Sequence, residues 1–378
     1  MILRMLFPVL AITLLAGCVS SKEAELQEKI NRRMFASIHF DTPARLKYTL
    51  KHNANPNAKD PRGVPVLIRA AAAGKLEHVK VLLENGADIN ITDPDGETAM
   101  FAAASRGDNK MIALLLEKGA SPNGKGRNGR SPAMEAARLG HIETLKFLLD
   151  RGADINAVDE DTAGLVAYAA TAGKNAIEEI KMLEARGIKI DLKNTELLGS
   201  PFLRALYFDR EETALYLLSR MEDLNKDSRM KQIGKVAVYY AISHYKKRLL
   251  KALVDKKLEL DYNEPLSFKL AKMTDVIGIY KLAARNDLIE RRYTPLMYAC
   301  IYGHPDMVEY LVNSGANPTI RSNEGQTAEA YAKDRATLEM IKRKTKEWHS
   351  VYLEGKKRQR GLVIEKDESV RRSTIFDF

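Results

Sequence analysis

The chain has 378 residues, 45% of them hydrophobic, which is long enough to bury a core and longer than one ordinary domain. Its two cysteines, Cys18 and Cys300, exclude a disulfide scaffold because they offer one bridge at most. Lys and Arg outnumber Asp and Glu by 60 to 50, a net charge of +10. The even spread of these charges fits a solvated surface with a basic tail rather than a nucleic-acid-binding stripe.

The first segment carries Arg4, an apolar stretch from Met5 to Leu15 and then small residues, the layout of a secretory signal peptide. Met5 to Cys18 is fourteen residues, short of the ~20 that span a bilayer as a helix. Leu15-Ala16-Gly17-Cys18 resembles the lipobox of bacterial lipoproteins. That resemblance implies cleavage after Gly17, so that 1–17 is a signal peptide, with Cys18 lipidated and 18–23 a short tether. Several acyl chains at ~0.8 kcal/mol per buried CH₂ make attachment stable. Val19 stands where an Asp favours inner-membrane retention in enterobacterial lipoproteins, so the expectation is an outer-membrane lipoprotein facing the periplasm. An ordinary cleaved signal is the alternative.

Three stretches then repeat: GVPVLIRAAAAGKLEHVKVLLENGADIN (63–90), GETAMFAAASRGDNKMIALLLEKGASPN (96–123) and GRSPAMEAARLGHIETLKFLLDRGADIN (129–156). Gly63, Gly96 and Gly129 are 33 residues apart, as are Asn90, Asn123 and Asn156. A fixed period of this length signals stacked helical units. The pattern resembles the ankyrin repeat: a T-P-L-H-x-A-A start, a central Gly, paired leucines and a G-A-D-x-N ending. Paired alanines suit a tightly packed first helix, Gly74, Gly107 and Gly140 a chain reversal, and Gly86, Gly119 and Gly152 a helix end. The fold expected is therefore an all-α solenoid of about nine to ten helix-turn-helix units with capping helices at both ends.

In chain order, a charged helix from about Ala24 to Ser37 reads as an N-terminal cap, and ARLKYTLKHNANPN (44–57) matches the second half of a unit. Clear repeats follow at 60–91, 93–124, 126–157 and 159–192, the last with about two extra residues before Asp191. Residues 196–290 are degenerate: Asp209 replaces the central glycine, Met221 the capping one, and 263–290 reads as a shortened unit. A close copy returns at 291–320, and 325–343 resembles a polar closing unit. The array spans 24–345, and 346–378 is a basic tail expected to be flexible.

No catalytic or metal-binding constellation emerges, and no cofactor is expected. His141 and His304 follow the central glycine, where the resemblance implies a structural turn contact; Cys300 sits at a small-residue position and reads as a buried thiol. Asp93-Pro94-Asp95-Gly96 lacks the later ligands of a calcium loop and suits a tight turn. By the same resemblance the loop tips and first-helix ends form the recognition face: Arg62; Asp95, Glu97 and Arg106; Lys125, Arg127, Asn128, Arg130, Arg138 and Leu139; Glu160 and Asp161. Four basic side chains in the third unit point to a partner with an acidic surface. The function expected is a non-catalytic scaffold or inhibitor anchored to the membrane by lipid, with an unidentified protein partner and no nucleic acid. An immunity protein against a secreted toxin or phospholipase, and an envelope stress or morphogenesis adaptor, remain alternatives.

Overall fold

The computed structural model describes residues 23–40, 42–193, 199–226, 228–261 and 292–350. They divide into two compact units, Met1–Ile190 and Asp191–Phe378. Among the described residues there are helices and no strand, apart from an isolated bridge between Lys59 and Pro65. No helix among them is long and apolar enough to cross a membrane.

The first unit holds five helix pairs: α1 (23–39) with α2 (Pro43–Lys51), α3 (Val66–Ala72) with α4 (Leu76–Glu84), α5 (Ala99–Arg106) with α6 (Asn109–Glu117), α7 (Pro132–Leu139) with α8 (Ile142–Asp150), and α9 (Leu165–Ala169) with α10 (Ala176–Ala185). The repeated sequence explains each boundary. Thr98 and Ser131 cap α5 and α7 by accepting the Phe101 and Met134 backbone N–H groups, satisfying donors that a helix start leaves open. The central glycines reverse the chain with φ of +71° at Gly107 and +77° at Gly140, a region costly for residues with a Cβ. The second helices close with the 6→1 and 5→2 bonds of a Schellman turn, as in Ala87 N to Leu82 O and Gly86 N to Leu83 O,. Each buries an i, i+3 apolar stripe, Val79 with Leu82, Ile112 with Leu115 and Leu145 with Leu148, worth roughly 1.5–3 kcal/mol per side chain.

Successive first helices pack on one another, α3 on α5, α5 on α7 and α7 on α9. Ala70, Ala71, Ala103, Ala104, Ala136 and Ala137 line those contacts at 0% exposure. No pair encloses a core alone, so the stack supplies it. The extra residues of the fifth pair fall between Gly173 and Gly187, where a 3-10 turn (Gly173–Asn175) precedes a ten-residue α10.

Between the pairs runs a chain of side-chain hydrogen bonds that accounts for the D-x-N ending. Asn57 Oδ1 accepts Asp88 N at 2.7 Å, and Asp88 Oδ1 then accepts Asn90 N at 2.9 Å. Asn123 bonds twice into the following unit, accepting Asp154 N at 2.8 Å and donating to Gly152 O at 3.0 Å, while Asp154 Oδ1 accepts Asn156 N at 2.9 Å. Asp88 and Asp154 each fold their own loop, while Asn57 and Asn123 each hold the next. Histidines do the same on the helix side. His78 Nε2 meets Ser37 O at 3.2 Å and His141 Nε2 meets Ser105 O at 3.0 Å.

The second unit comprises α11 (Pro201–Tyr207) with α12 (Glu211–Arg220), α13 (Ser228–Ser243) with α14 (Lys247–Asp255), α15 (Pro295–Tyr302) with α16 (Pro305–Asn313), then a 3-10 turn (Ala328–Tyr331) and α17 (335–350). Asp209 keeps the left-handed conformation of the glycine it replaces, with φ of +54°. Met221 does not: its φ of −71° and ψ of 140° are extended, and Lys256 Nζ instead caps its carbonyl at 2.5 Å. A methionine Cβ would be strained in the glycine conformation, so the helix end is closed from the next pair. The apparent shortened unit at 263–290 lies outside the described residues. The pairs on either side of it touch directly: α13 packs on α15, Tyr239 and Tyr298 meet edge to face at 4.8 Å, and Asn317 N donates to Asp261 Oδ1 at 2.7 Å. The inter-unit bond that spans 31 residues at Asp88 and Asp154 and 34 at Glu259 here spans 56.

Two outcomes test this packing. Asn123→Ala removes both inter-unit bonds and should lower unfolding free energy by roughly 1–3 kcal/mol, read from denaturant midpoints. Glu179 in α10 is fully buried with both carboxylate oxygens lacking a hydrogen-bond partner, and burial pushes its pKa from 4.5 up to about 9. The folded state therefore holds a proton that the unfolded state releases, so stability falls as pH rises from about 4.5 to about 9,. In Glu179→Gln that part of the decline should disappear, making the variant the more stable protein at pH 8.

Candidate functional site

The loops joining the pairs are built before any partner arrives. Asp60 Oδ1 accepts the N–H groups of Arg62 and Val64, each at 2.9 Å. Asp93 Oδ1 accepts those of Asp95 and Glu97 at 2.9 Å, and Asp159 Oδ1 those of Asp161 and Ala163 at 2.8 Å. The Asp93 carboxylate is thus engaged by its own turn. Backbone donation and Arg69 outweigh partial burial at Asp60 and hold its pKa below the usual carboxylate range; burial is the largest single influence and opposes them.

A second anchor comes from one position of the first helix. Arg69 in α3 binds Asp60 Oδ2 through Nε at 2.7 Å, and Tyr168 in α9 donates to Asp159 Oδ2 at 2.5 Å. Glu135 occupies the same position in α7 and receives arginines instead. Arg138 grips it in a fork, Nε to Oε2 at 2.9 Å and Nη2 to Oε1 at 2.6 Å, and Arg130 Nη1 reaches Oε2 at 3.3 Å. Arg130 also lies 3.5 Å from Glu97 and 5.6 Å above the Phe101 ring. The hydrogen bond to Glu135 raises the Arg138 pKa against the opposing effect of burial. Burial, reinforced by Asp93, raises that of Glu97 against the pull of Arg130.

The expected recognition residues sort accordingly. Arg62, Asp95, Arg106, Lys125, Arg127, Asn128, Leu139 and Glu160 are exposed, whereas Glu97, Arg130, Arg138 and Asp161 are partly buried. Arg127 meets Asp95 at 3.7 Å with both side chains more than half exposed, a pair worth ~0–1 kcal/mol. Arg106 donates to Ala72 O at 3.1 Å, covering Gly74 of the preceding pair. Asn128 sits in a left-handed turn with φ of +58° and offers its carbonyl to Glu160 N at 3.0 Å. Arg130 and Arg138, read from sequence as positive charge offered to a partner, thus form a clamp on a buried carboxylate. Sequence reasoning passed over Glu135; the signal was a charged residue in the otherwise apolar run Ala133-Met134-Glu135-Ala136-Ala137.

Cys300 is buried, and its thiol pKa is pushed up to about 12. Among the described residues no three His, Cys, Asp or Glu side chains converge as metal ligands would.

Helix pairs joined by Asp-folded loops and stitched by Asn define a repeat module whose loop-tip residues Arg62, Asp95, Arg127 and Glu160 are exposed. Residues 67–159 match the family model of ankyrin repeats (3 copies), and residues 282–332 that of ankyrin repeats (many copies). The chain carries ankyrin repeats, which serve protein–protein interaction and are typically non-catalytic. No curated protein matches it.

Glu135→Ala should reveal the clamp. Removing the buried anion leaves Arg130 and Arg138 facing each other and should cost about 3 kcal/mol. Arg127→Ala should change the unfolding free energy by less than about 0.5 kcal/mol, read from denaturant midpoints.

Proposed function

We propose that the protein is a lipoprotein tethered through Cys18 to the periplasmic face of the bacterial outer membrane, where its repeats hold a protein partner without catalysis. The observation that carries the reading is the Leu15-Ala16-Gly17-Cys18 motif five residues ahead of α1. A tether of that length reaches ~17 Å at most, so the array works beside the lipid. The partner contact is assigned to the loop-tip face. Lys125 and Arg127 project from it beside the Glu135 clamp, and a partner's acidic patch would pair with them. Because the loops are pre-folded, little ordering entropy opposes docking. No nucleic acid or cofactor takes part.

Two measurements test this. Mass analysis of the protein from bacterial membranes should find residues 1–17 removed and a lipid adduct on Cys18, and Cys18→Ser should shift the protein out of the membrane fraction; an unmodified Cys18 overturns the anchor. Lys125→Glu with Arg127→Glu should weaken in-cell crosslinking to the partner at least about tenfold by charge repulsion while helicity stays unchanged. Unaltered crosslinking overturns the assigned face.

A further inference from the structure

The N-terminal helix pair carries a second surface whose chemistry differs from that of the loop tips. From Pro43 to Lys59 there are four Lys or Arg and no Asp or Glu. Arg45, Lys47, Tyr48, Lys51, His52 and Lys59 are all exposed, and Tyr48, 61% exposed, lies face to ring with His52 at 4.0 Å. Lys47, Tyr48 and Lys51 recur at helical spacing on one face of α2, while Leu46 and Thr49 turn inward. The other second helices, α4, α6, α8, α10, α12, α14 and α16, each carry at least one carboxylate. On α1 the exposed charges largely cancel in Glu25–Lys29 and Glu28–Arg32 pairs at 2.7 and 2.5 Å. The positive field at this end of the repeats therefore comes from α2.

Its placement matters as much as its charge. Gln27 Nε2 donates to Asn53 O at 2.9 Å, and Asn55 N donates to Asn31 Oδ1 at 3.1 Å. These bonds bring the C-terminal end of α2 back beside the beginning of α1, the end that follows Cys18. Basic side chains flanking an exposed tyrosine suit the headgroup layer of an anionic bilayer, where the ring takes the interface and each cation gains ~1 kcal/mol.

We propose that the exposed face of α2 rests on anionic phospholipid headgroups and orients the repeats on the membrane. The orientation rests on the lipoprotein reading, because the tether is what holds this face near lipid; the affinity for anionic lipid does not. The test uses the full chain carrying Cys18→Ala, so that no acyl chain contributes. It is floated with vesicles of phosphatidylcholine alone and of phosphatidylcholine mixed with phosphatidylglycerol. Residues 1–17 are common to both samples, so only the difference between the two lipids is read. Anionic vesicles should bind the chain more tightly, with the excess suppressed by salt. Arg45→Glu, Lys47→Glu and Lys51→Glu together should weaken that excess roughly tenfold or more, and the corresponding Gln variant should fall between, giving a second reading if the Glu variant folds poorly. Equal binding to both lipids, an excess untouched by the α2 substitutions, or retention on soluble polyanions without vesicle binding would each overturn the proposal. A missing lipid adduct on Cys18 would refute the anchor and leave this result standing.

Discussion

In four places a backbone N–H near the base of a loop is satisfied by a side chain of the preceding helix pair, and much of the architecture follows from that dependence. Asp88 N, Asp154 N and Glu259 N all donate to an Asn side chain one unit back. These bonds lie at the exposed edge of the stack, and each contributes about 0.5–1.5 kcal/mol net,. The Asn must arrive within about 3 Å, which requires neighbouring first helices to approach closely, and that in turn requires alanine at their contact. Hydrogen bonding, side-chain volume and the 33-residue period are therefore one constraint seen at three scales.

The second unit shows how the constraint survives when the consensus does not. Tyr245 and Asp209 both adopt positive φ without being glycine, at a cost of roughly 1–2 kcal/mol each. Each is also bonded forward. Asp209 accepts Tyr240 Oη at 2.7 Å and Lys246 Nζ at 2.6 Å, and Tyr245 Oη donates to Asp306 Oδ2 at 2.9 Å, with Lys247 pairing to the same carboxylate. These bonds from one helix pair to the next offset the backbone strain. Asp261 likewise takes over the role of Asn for Asn317 N, so the stack continues across a much longer connection.

On the loop face, electrostatics is divided between holding the loops and offering charge outward. A carboxylate buried at Glu135 would be prohibitive alone; two arginines make it tolerable and are themselves drawn inward. What the face presents is therefore carried by Lys125, Arg127, Asp95 and their neighbours at the rim. The N-terminal pair is organised in the opposite sense, with cations on α2 that have no carboxylate on their own helix.

Helix pairing, the glycine turns and the alanine contacts were all legible in the chain, because each depends on residues close in sequence and recurs with a fixed period. The D-x-N motif was visible as a repeat, but its purpose was not, since its two hydrogen bonds point in different directions along the stack. Met221 read as a glycine substitute until its extended backbone and the Lys256 cap replaced that role. The basic third unit read as an outward patch for a related reason. Counting charges reports how many are present, whereas whether Arg130 and Arg138 face a partner or Glu135 depends on distances between helix and loop. The sequence by itself determined the repeating unit, its period and the lipobox-like start. Only the tertiary structure decided which charges are already neutralised and which pairs are neighbours across residues 262–291, because both are set by packing between units that periodicity cannot specify.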